Sequence, residues 1–258
     1  MLPFAWPHLK IQWRAILRSW KTVIPLGVLG IGSFNTLLYI GLHETTATNA
    51  VLLNSACPAF IVAISFIFFG LPATSRQFAG IAASLFGVGI IVCRGRIENL
   101  LSLSFNQGDL WVLSAALCWA IYTNLLKRRP EDVHPLAVLS VLIGIGVACL
   151  APLYAWEMSR GIMVTPDAAT AVVLLYLALL ASLAAYIFWS QAVEEIGANR
   201  AGAFLHLMPM FGSLLAVLLL GESFRPFHAG GIALILSGVT LASAGSTPAQ
   251  RPAKSPGT

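Results

Sequence analysis

Long apolar stretches alternate with short polar segments along almost the whole chain. Each stretch is close to the roughly 20 residues that a helix needs to cross a bilayer. The bilayer interior offers no hydrogen-bonding partner, so such stretches form helices, which satisfy their own backbone groups. The pattern predicts an all-α integral membrane fold with about eight transmembrane helices, near residues 23–42, 46–70, 77–94, 109–127, 135–156, 168–193, 199–221 and 226–245.

Composition supports this prediction and excludes a water-soluble globular domain. Of the 258 residues, 58% are hydrophobic and only 10% are charged, with a mean hydropathy of +0.83. A soluble domain carries about 25% charged residues. We therefore expect the lipid bilayer to be the main partner of the surface. The four cysteines lie within predicted helices without CxxC spacing, and we predict neither a metal nor a cofactor.

The basic residues sort by loop and predict the topology. With both termini in the cytoplasm, eleven of the fifteen Lys and Arg residues fall on the cytoplasmic side and four fall outside. This is the positive-inside bias, and the net charge of +5 then reflects topology rather than nucleic-acid binding. We predict a bacterial cytoplasmic (inner) membrane location. Residues 8–21 fit either a short interfacial helix or a polar connector.

The two halves of the chain match without a gap when the sequence is shifted by 151 residues. Glu44 falls on Glu195, and Gly80–Ala82 falls on Gly231–Ala233. The prolines also align, because Pro58 falls on Pro209. A repeat of this length in an apolar chain is typical of transporters that are built from two related halves.

The repeat is unequal, because the predicted helices at 109–127 and 135–156 have no full counterpart upstream. A unit of five helices is odd in number, so the second copy is inserted upside down relative to the first. We expect residues 23–94 and 168–245 to superpose by a rotation about an axis in the membrane plane. We also expect one flank of the central cavity to be open to lipid unless another chain covers it.

Several short motifs together resemble the EamA domain of the drug/metabolite transporter superfamily. In the first half they are Tyr39, Thr46–Ala50 and Pro58, which resemble the third and fourth helices of that domain. In the second half, Gly108–Leu110 and Ala120–Tyr122 resemble its start, and Ala198–Ala201, Pro209, Leu220–Glu222, Gly230–Gly231 and Gly238 resemble its later helices.

The resemblance implies two inverted five-helix repeats that export small metabolites. It divides the chain into an incomplete first repeat at 1–97, which lacks the first helix and most of the second, and a complete repeat at 108–245. The segment 246–258 is predicted to be a disordered tail. Leu71 stands where a Gly-Glu pair is common in the family.

Polar and aromatic side chains within the predicted spans are the candidates for a substrate path. His206 is either a proton-linked or substrate-contacting group or a neutral histidine bonded to a neighbouring helix. The asparagines either contact substrate or join helices, and the aromatic residues either line a cavity or pack in the core. The candidates are Asn35, Tyr39, Asn54, Trp119, Tyr122, Tyr186, Trp189 and His206, together with Asn124. Pro58 and Pro209 are predicted to break helices at matching depth, which is a pointer to a transport site or only a structural kink.

These patterns favour a secondary transporter that exports a small metabolite or amphiphilic compound by alternating access. No GxxxxGK[ST] motif indicates ATP use. An alternative is a truncated or mis-started chain without transport activity of its own. A membrane-embedded enzyme is a remote alternative, because the chain has neither HExxH nor GxSxG. The partners predicted are a small-molecule substrate and, as a possibility, a second copy of the chain in a homodimer.

Overall fold

A computed structural model describes residues 2–101, 105–130, 132–161, 167–221 and 223–244, which are almost entirely helical. The first part contains α1 (Leu2–Arg18), α2 (Trp20–Leu26), a π-helical segment (Gly27–Ser33), α3 (Phe34–Glu44), α4 (Ala47–Asn54), α5 (Cys57–Phe69), α6 (Ser75–Val92) and α7 (Ile97–Leu101). The predicted tail at 246–258 lies outside the described residues.

The second part contains α8 (Gln107–Leu125), a 3₁₀ turn (Leu126–Arg128), α9 (Pro135–Ser159), α10 (Ala168–Tyr176), a second π-helical segment (Leu177–Ala184), α11 (Ala185–Ile196), α12 (Ala198–Ala203), a second 3₁₀ turn (Phe204–His206), α13 (Leu207–Leu220) and α14 (Pro226–Ala244). Several of these helices are continuous with their neighbours and together form longer spans.

Eight helices among the described residues are long and apolar enough to cross a membrane, which confirms the eight predicted spans. They are Trp20–Glu44, Ala47–Phe69, Ser75–Val92, Gln107–Arg128, Pro135–Ser159, Ala168–Ile196, Ala198–Leu219 and Pro226–Ala244. Their ends differ from the predicted ends by only a few residues. The all-α membrane fold follows from the length and apolar character of these helices.

The segment before the first span is a helix rather than a polar connector. Helix α1 packs against the start of α9, where Gln12 Nε2 donates to the carbonyl of Asp132 at 3.2 Å. The backbone N–H of His134 donates to Gln12 Oε1 at 2.9 Å. The ring of His8 stacks on that of His134 with centroids 3.9 Å apart. These contacts fix α1 to the segment that leads into α9.

The helices group into two compact units that do not follow the halves of the sequence. Among the described residues, unit 1 comprises 2–57, 105–130, 132–161 and 167–191, and unit 2 comprises 58–101, 192–221 and 223–244. Each unit therefore draws helices from both predicted repeats. The repeat boundaries at 1–97 and 108–245 stay a prediction, because the two units cut across both repeats.

In unit 1, α3 packs closely against α8. A Cβ atom built on Gly41 would lie 2.8 Å from the carbonyl oxygen of Gly108 and 2.7 Å from Val112 Cγ2. The two backbones approach this closely because neither glycine has a side chain, which is a common device at helix contacts in membranes. Asn106 caps the start of α8 in a capping box with Asp109. Asp109 Oδ1 also accepts a hydrogen bond from Thr45 Oγ1 at 2.5 Å, which holds the end of α3 in place.

In unit 2, α6 and α14 pack along faces that correspond under the 151-residue shift. A Cβ on Gly80 would lie 2.5 Å from the carbonyl of Gly238, and one on Gly231 would lie 3.0 Å from the carbonyl of Gly87. These two contacts exchange under the shift, because Gly80 corresponds to Gly231 and Gly87 to Gly238. Reciprocal contacts between antiparallel helices are what a two-fold axis produces, so they support the predicted inverted repeat.

Candidate functional site

Five aromatic side chains meet in unit 1, and we call them the aromatic cluster. Trp119 lies at its centre, on α8. The ring centroid of Trp119 is 4.7 Å from Phe34, 5.1 Å from Tyr122, 5.4 Å from Trp189 and 5.7 Å from Tyr186. The rings are tilted or edge-on to one another, which is the favourable arrangement for aromatic pairs. Four predicted candidates, Trp119 and three of the rings around it, therefore come together in this cluster.

One hydrogen bond beside the cluster connects two residues that correspond in the predicted repeat. Asn35 Nδ2 donates to the hydroxyl of Tyr186 at 3.4 Å, and these two residues are separated by the repeat period of 151. The Tyr186 hydroxyl in turn donates to the carbonyl of Gly30 at 2.5 Å. A residue that contacts its own counterpart lies next to the axis that relates the two copies. The predicted repeat therefore implies that the cluster, within unit 1, lies beside this axis.

Both spans that carry this contact change to π-helix just before it. The first π-helical segment ends at Ser33, two residues before Asn35, and the second ends at Ala184, two residues before Tyr186. The two segments overlap almost completely when the chain is shifted by 151. π-helical turns are rare and occur frequently at functional sites. Because the two π-helical segments lie at corresponding positions beside the aromatic cluster, they favour this region over other parts of the two spans as the functional site.

Some polar atoms in the cluster are satisfied and others are not. Trp189 Nε1 donates to Thr123 Oγ1 at 3.3 Å. Trp119 Nε1 and the Tyr122 hydroxyl are buried without a hydrogen-bond partner, although Ser190 approaches that hydroxyl. Buried polar groups are normally paired, so unpaired donors in a cluster of rings indicate a place for a ligand acceptor or a water molecule.

The other polar candidates lie outside the aromatic cluster. Tyr39 is 57% exposed. The side-chain oxygen of Asn54 is buried without a hydrogen-bond partner. Asn124 is fully buried, and its Nδ2 donates to the carbonyl of Ala120 within α8. In unit 2, the fully buried His206 lies with Nδ1 2.5 Å from Ser84 Oγ.

The spans that contain Pro58 and Pro209 are both irregular just before these prolines. Helix α4 ends at Asn54 and α5 begins at Cys57, immediately before Pro58. A 3₁₀ turn at Phe204–His206 precedes α13, which contains Pro209. A proline removes one backbone donor and clashes with the preceding turn, which explains these positions. Their role in transport stays a prediction.

Sequence reasoning did not select Phe34, Thr123 or Gly30 for this site. Phe34 and Thr123 are ordinary residues in an apolar span and carry no distinguishing pattern. Gly30 belongs to the run Gly27–Ser33, in which three glycines mark a closely packed face. Within the described residues, no group of three or more His, Cys, Asp or Glu side chains is placed to hold a metal ion.

Comparison with known proteins gives a consistent result over most of the chain. Residues 1–93 and 106–244 match the EamA-like transporter family. The uncharacterized transporter YyaM of Bacillus subtilis is 28% identical over 220 residues, which cover 85% of this chain and 72% of that protein. A probable terminal-alkyne amino-acid exporter of Streptantibioticus cattleyicolor is 30% identical over 231 residues, covering 90% of this chain and 75% of the exporter.

A chain of known crystal structure shares the fold, with a TM-score of 0.69 at 19% identity, and the match covers 85% of this chain and 77% of that one. The names of these relatives are those of transporters rather than enzymes. The eight apolar helices make this chain an integral membrane protein, and a transporter of this kind implies a small-molecule substrate and a lipid environment. The chain therefore belongs to the EamA-like transporter family.

Proposed function

We propose that this protein is a secondary carrier that exports a small metabolite or amphiphilic compound by alternating access, with the aromatic cluster on the substrate path. The hydrogen bond between Asn35 and Tyr186 carries the proposal, because it joins two residues that correspond in the repeat. In transporters with inverted repeats, substrates bind at the interface of the repeats near the middle of the bilayer. The unpaired donors of Trp119 and Tyr122 supply polar contacts there.

Charge and motif content support a carrier over other mechanisms. The chain lacks a Walker-type phosphate loop and the HExxH and GxSxG motifs, so we propose neither ATP hydrolysis nor an enzymatic reaction. One relative is named a probable terminal-alkyne amino-acid exporter. This likeness supports export as the direction of transport.

We further propose that the protein lies in the bacterial cytoplasmic membrane with both termini in the cytoplasm. The eleven-to-four distribution of basic residues favours this orientation. One relative, from Salmonella typhimurium, is named an inner membrane transporter. The homodimer considered from the sequence stays a prediction, which the mass of the purified protein in detergent tests.

The experiment is a transport assay on the purified chain in proteoliposomes, with amino acids, nucleosides and organic cations as test compounds. We expect Trp119→Ala to reduce transport of the accepted compound by about tenfold or more, because it removes the centre of the cluster. The matched control is Trp156→Ala, since Trp156 lies on α9 and is 54% exposed. We expect this control to transport normally.

Absence of transport for every compound, with the protein correctly inserted, would contradict the proposal. That result would favour the alternative of a chain without transport activity of its own. Equal loss of transport in the Trp119 and Trp156 variants would remove the aromatic cluster from the substrate path.

A further inference from the structure

Helix α1 is attached to the rest of unit 1 through one of its sides. Ala5 and Ile16 are buried on this side. Between them, Gln12 forms its hydrogen bonds with Asp132 and His134. Spacings of seven and four residues place the three positions on the same side of a helix. The other sides of α1 are therefore held in a fixed orientation and face away from the protein.

An apolar stripe runs along one of these outer sides. Trp6, Trp13 and Leu17 are all exposed. A step of seven residues rotates a helical side chain by only about 20°, and a step of four keeps it on the same side, so the three form a line. Trp20, seven residues after Trp13, is also exposed. Exposed apolar patches of this kind mark protein or membrane interaction sites.

A basic stripe lies beside the apolar one. Lys10, Arg14 and Arg18 follow one another at steps of four residues, and all three are exposed. Lys21 is exposed as well. Lys10 Nζ lies 5.3 Å from the ring centre of Trp6, so the two stripes touch. Neither α1 nor α2 contains Asp or Glu, so this positive charge has no acidic partner within these helices.

Two points of α1 lie at the level where membrane spans begin or end. The helix ends at Arg18, and the first span begins at Trp20. Gln12 contacts the segment between the spans Gln107–Arg128 and Pro135–Ser159. Four crossings return the chain to the side on which the first span begins, so both points lie on one side of the membrane. A helix attached at both points runs along the membrane surface rather than away from it.

We propose that α1 is a docking surface for the anionic phospholipid headgroups of the membrane in which the protein lies. Helices that lie in the interface carry Trp or Leu on one face and Lys or Arg on another, and anionic lipid strengthens their binding. The headgroup phosphates complement the charge of the basic stripe, and the acyl chains cover the apolar stripe. A soluble anion would satisfy only the first of these.

This proposal goes beyond transport and does not depend on it. Only the leaflet rests on the proposed function, because termini in the cytoplasm place α1 at the cytoplasmic leaflet. The surface of that leaflet carries negative charge, and each Lys or Arg near it strengthens binding by about fivefold.

The first test adds phosphatidylglycerol or phosphatidylcholine with the same acyl chains to the full chain in detergent micelles. Thermal unfolding measures stabilisation, and native mass spectrometry counts the bound lipids. We expect phosphatidylglycerol to bind at a concentration at least about tenfold lower, because several basic residues contribute. Glycerol 3-phosphate and polyglutamate, which are anions without acyl chains, are expected not to bind.

The second test compares two double substitutions that each remove two positive charges. Lys10→Gln with Arg14→Gln changes the basic stripe, whereas Arg160→Gln with Arg225→Gln changes exposed residues elsewhere. We expect the first pair to weaken phosphatidylglycerol binding by about 25-fold and the second pair to leave it unchanged. Trp13→Ala is expected to weaken the binding of both lipids. All of these side chains are exposed, so the variants are expected to fold.

Equal binding of the two lipids by the natural chain would overturn the proposal. Equal losses in the two double variants would also overturn it, because they would show an effect of net charge rather than of α1. Binding of glycerol 3-phosphate as tight as that of the lipid would identify a soluble phosphate as the ligand, and tight binding of polyglutamate would indicate an acidic protein partner. Either result contradicts a lipid surface. None of these measurements uses a transported compound, so failure of transport is a separate result.

Discussion

The spans Trp20–Glu44 and Ala168–Ile196 correspond in the predicted repeat and yet occupy very different surroundings. Both are helices with a π-helical segment at the same place. In the most apolar 18 residues of each, 28% of the first and 6% of the second are buried within the protein. Of the two spans that the predicted repeat pairs, one is thus a packed helix and the other is largely exposed.

The difference comes from the neighbours rather than from the spans themselves. Helix α8 packs on α3, and α9 packs on the first π-helical segment. No equivalent helices cover residues 168–182 of the second span, where nearly every described residue is exposed. In a bilayer, an apolar helix surface is as stable in contact with lipid as in contact with another helix, because lipid tails are as apolar as leucine. Burial of such a span is therefore decided by shape and not by hydrophobicity.

The two spans also differ in their glycine residues, which allow another helix to approach closely. The second span has Ala178, Ala181 and Leu183 where the first has Gly27, Gly30 and Gly32. A Cβ on Gly27 would lie 2.7 Å from Ile145 Cβ on α9, and one on Gly30 would overlap the ring of Tyr122. Glycine stands where another helix passes close by, and alanine or leucine stands where none does.

The largest expected effect comes from truncating a buried leucine of the first span. Leu26 is fully buried, whereas its counterpart Leu177 is 38% exposed. We expect Leu26→Ala to lower the free energy of unfolding by about 2–5 kcal/mol, because a cavity remains. Leu177→Ala is expected to cost much less, since lipid fills the space. Thermal unfolding in detergent measures both, and equal losses would show that the two spans are packed alike.

The next effect comes from exchanging residues between the two spans. We expect Gly30→Ala to destabilise the protein by about 1–3 kcal/mol, because the added methyl group would overlap Tyr122. The reverse exchange, Ala181→Gly, is expected to cost about 0.5–1 kcal/mol through backbone entropy alone. A tolerated Gly30→Ala, measured by the same unfolding assay, would mean that α8 does not approach the first span closely.

The sequence predicted the spans well but did not reveal which of their faces are buried. Eight apolar runs of the right length suffice to locate eight helices, and lysines and arginines mark their ends. The same runs hide the difference between the spans at 20–44 and 168–196, because lipid-facing and protein-facing positions are both apolar. The glycines at 27, 30 and 32 were the one available signal of close packing.

The site could be predicted only as a set of candidates. Trp119, Tyr122, Tyr186 and Trp189 meet in the cluster, whereas Tyr39 is exposed and His206 lies in unit 2. Their residue types do not distinguish these outcomes, because an aromatic side chain fits a core, a cavity or a lipid surface. The contacts that each residue makes in the packed structure distinguish these outcomes, and the sequence does not show those contacts.

A smaller effect is expected at the contact between the two spans. Tyr186→Phe removes the hydrogen bond to Gly30 and the acceptor for Asn35. We expect a loss of about 1 kcal/mol in unfolding free energy and a lower transport rate. Tyr176→Phe is the matched control on the same span, because Tyr176 is 57% exposed. Indistinguishable transport rates for the two variants would contradict a role for the Tyr186 hydroxyl in the path.

The smallest effect concerns how the two spans begin. Asp167 caps the second span by accepting the backbone N–H of Thr170 at 2.7 Å, whereas Ser19 caps the first without a side-chain hydrogen bond. The bond from Thr170 lowers the pKa of the exposed Asp167 below its usual 3.8. The folded pKa is depressed, so the stabilisation is present above pH 3.8 and is lost as the pH falls through the lowered value.

We therefore expect Asp167→Asn to flatten a small acid-induced decrease in melting temperature between about pH 5 and pH 2. An asparagine caps helices nearly as well as aspartate, so the variant tests the titration and not the cap. If the melting temperatures of the natural protein and the variant fall equally with pH over this range, the lowered pKa of Asp167 does not contribute to stability.

The hydrogen bond between Asn35 and Tyr186 also bears on how such a protein evolves. In an ancestor assembled from two identical copies, this position would have met itself, and only pairs of identical side chains could have occurred there. Once both copies lie in one chain, the two sides mutate separately. An amide donor on one side and a phenol on the other, as here, form a pair that no symmetric assembly could make.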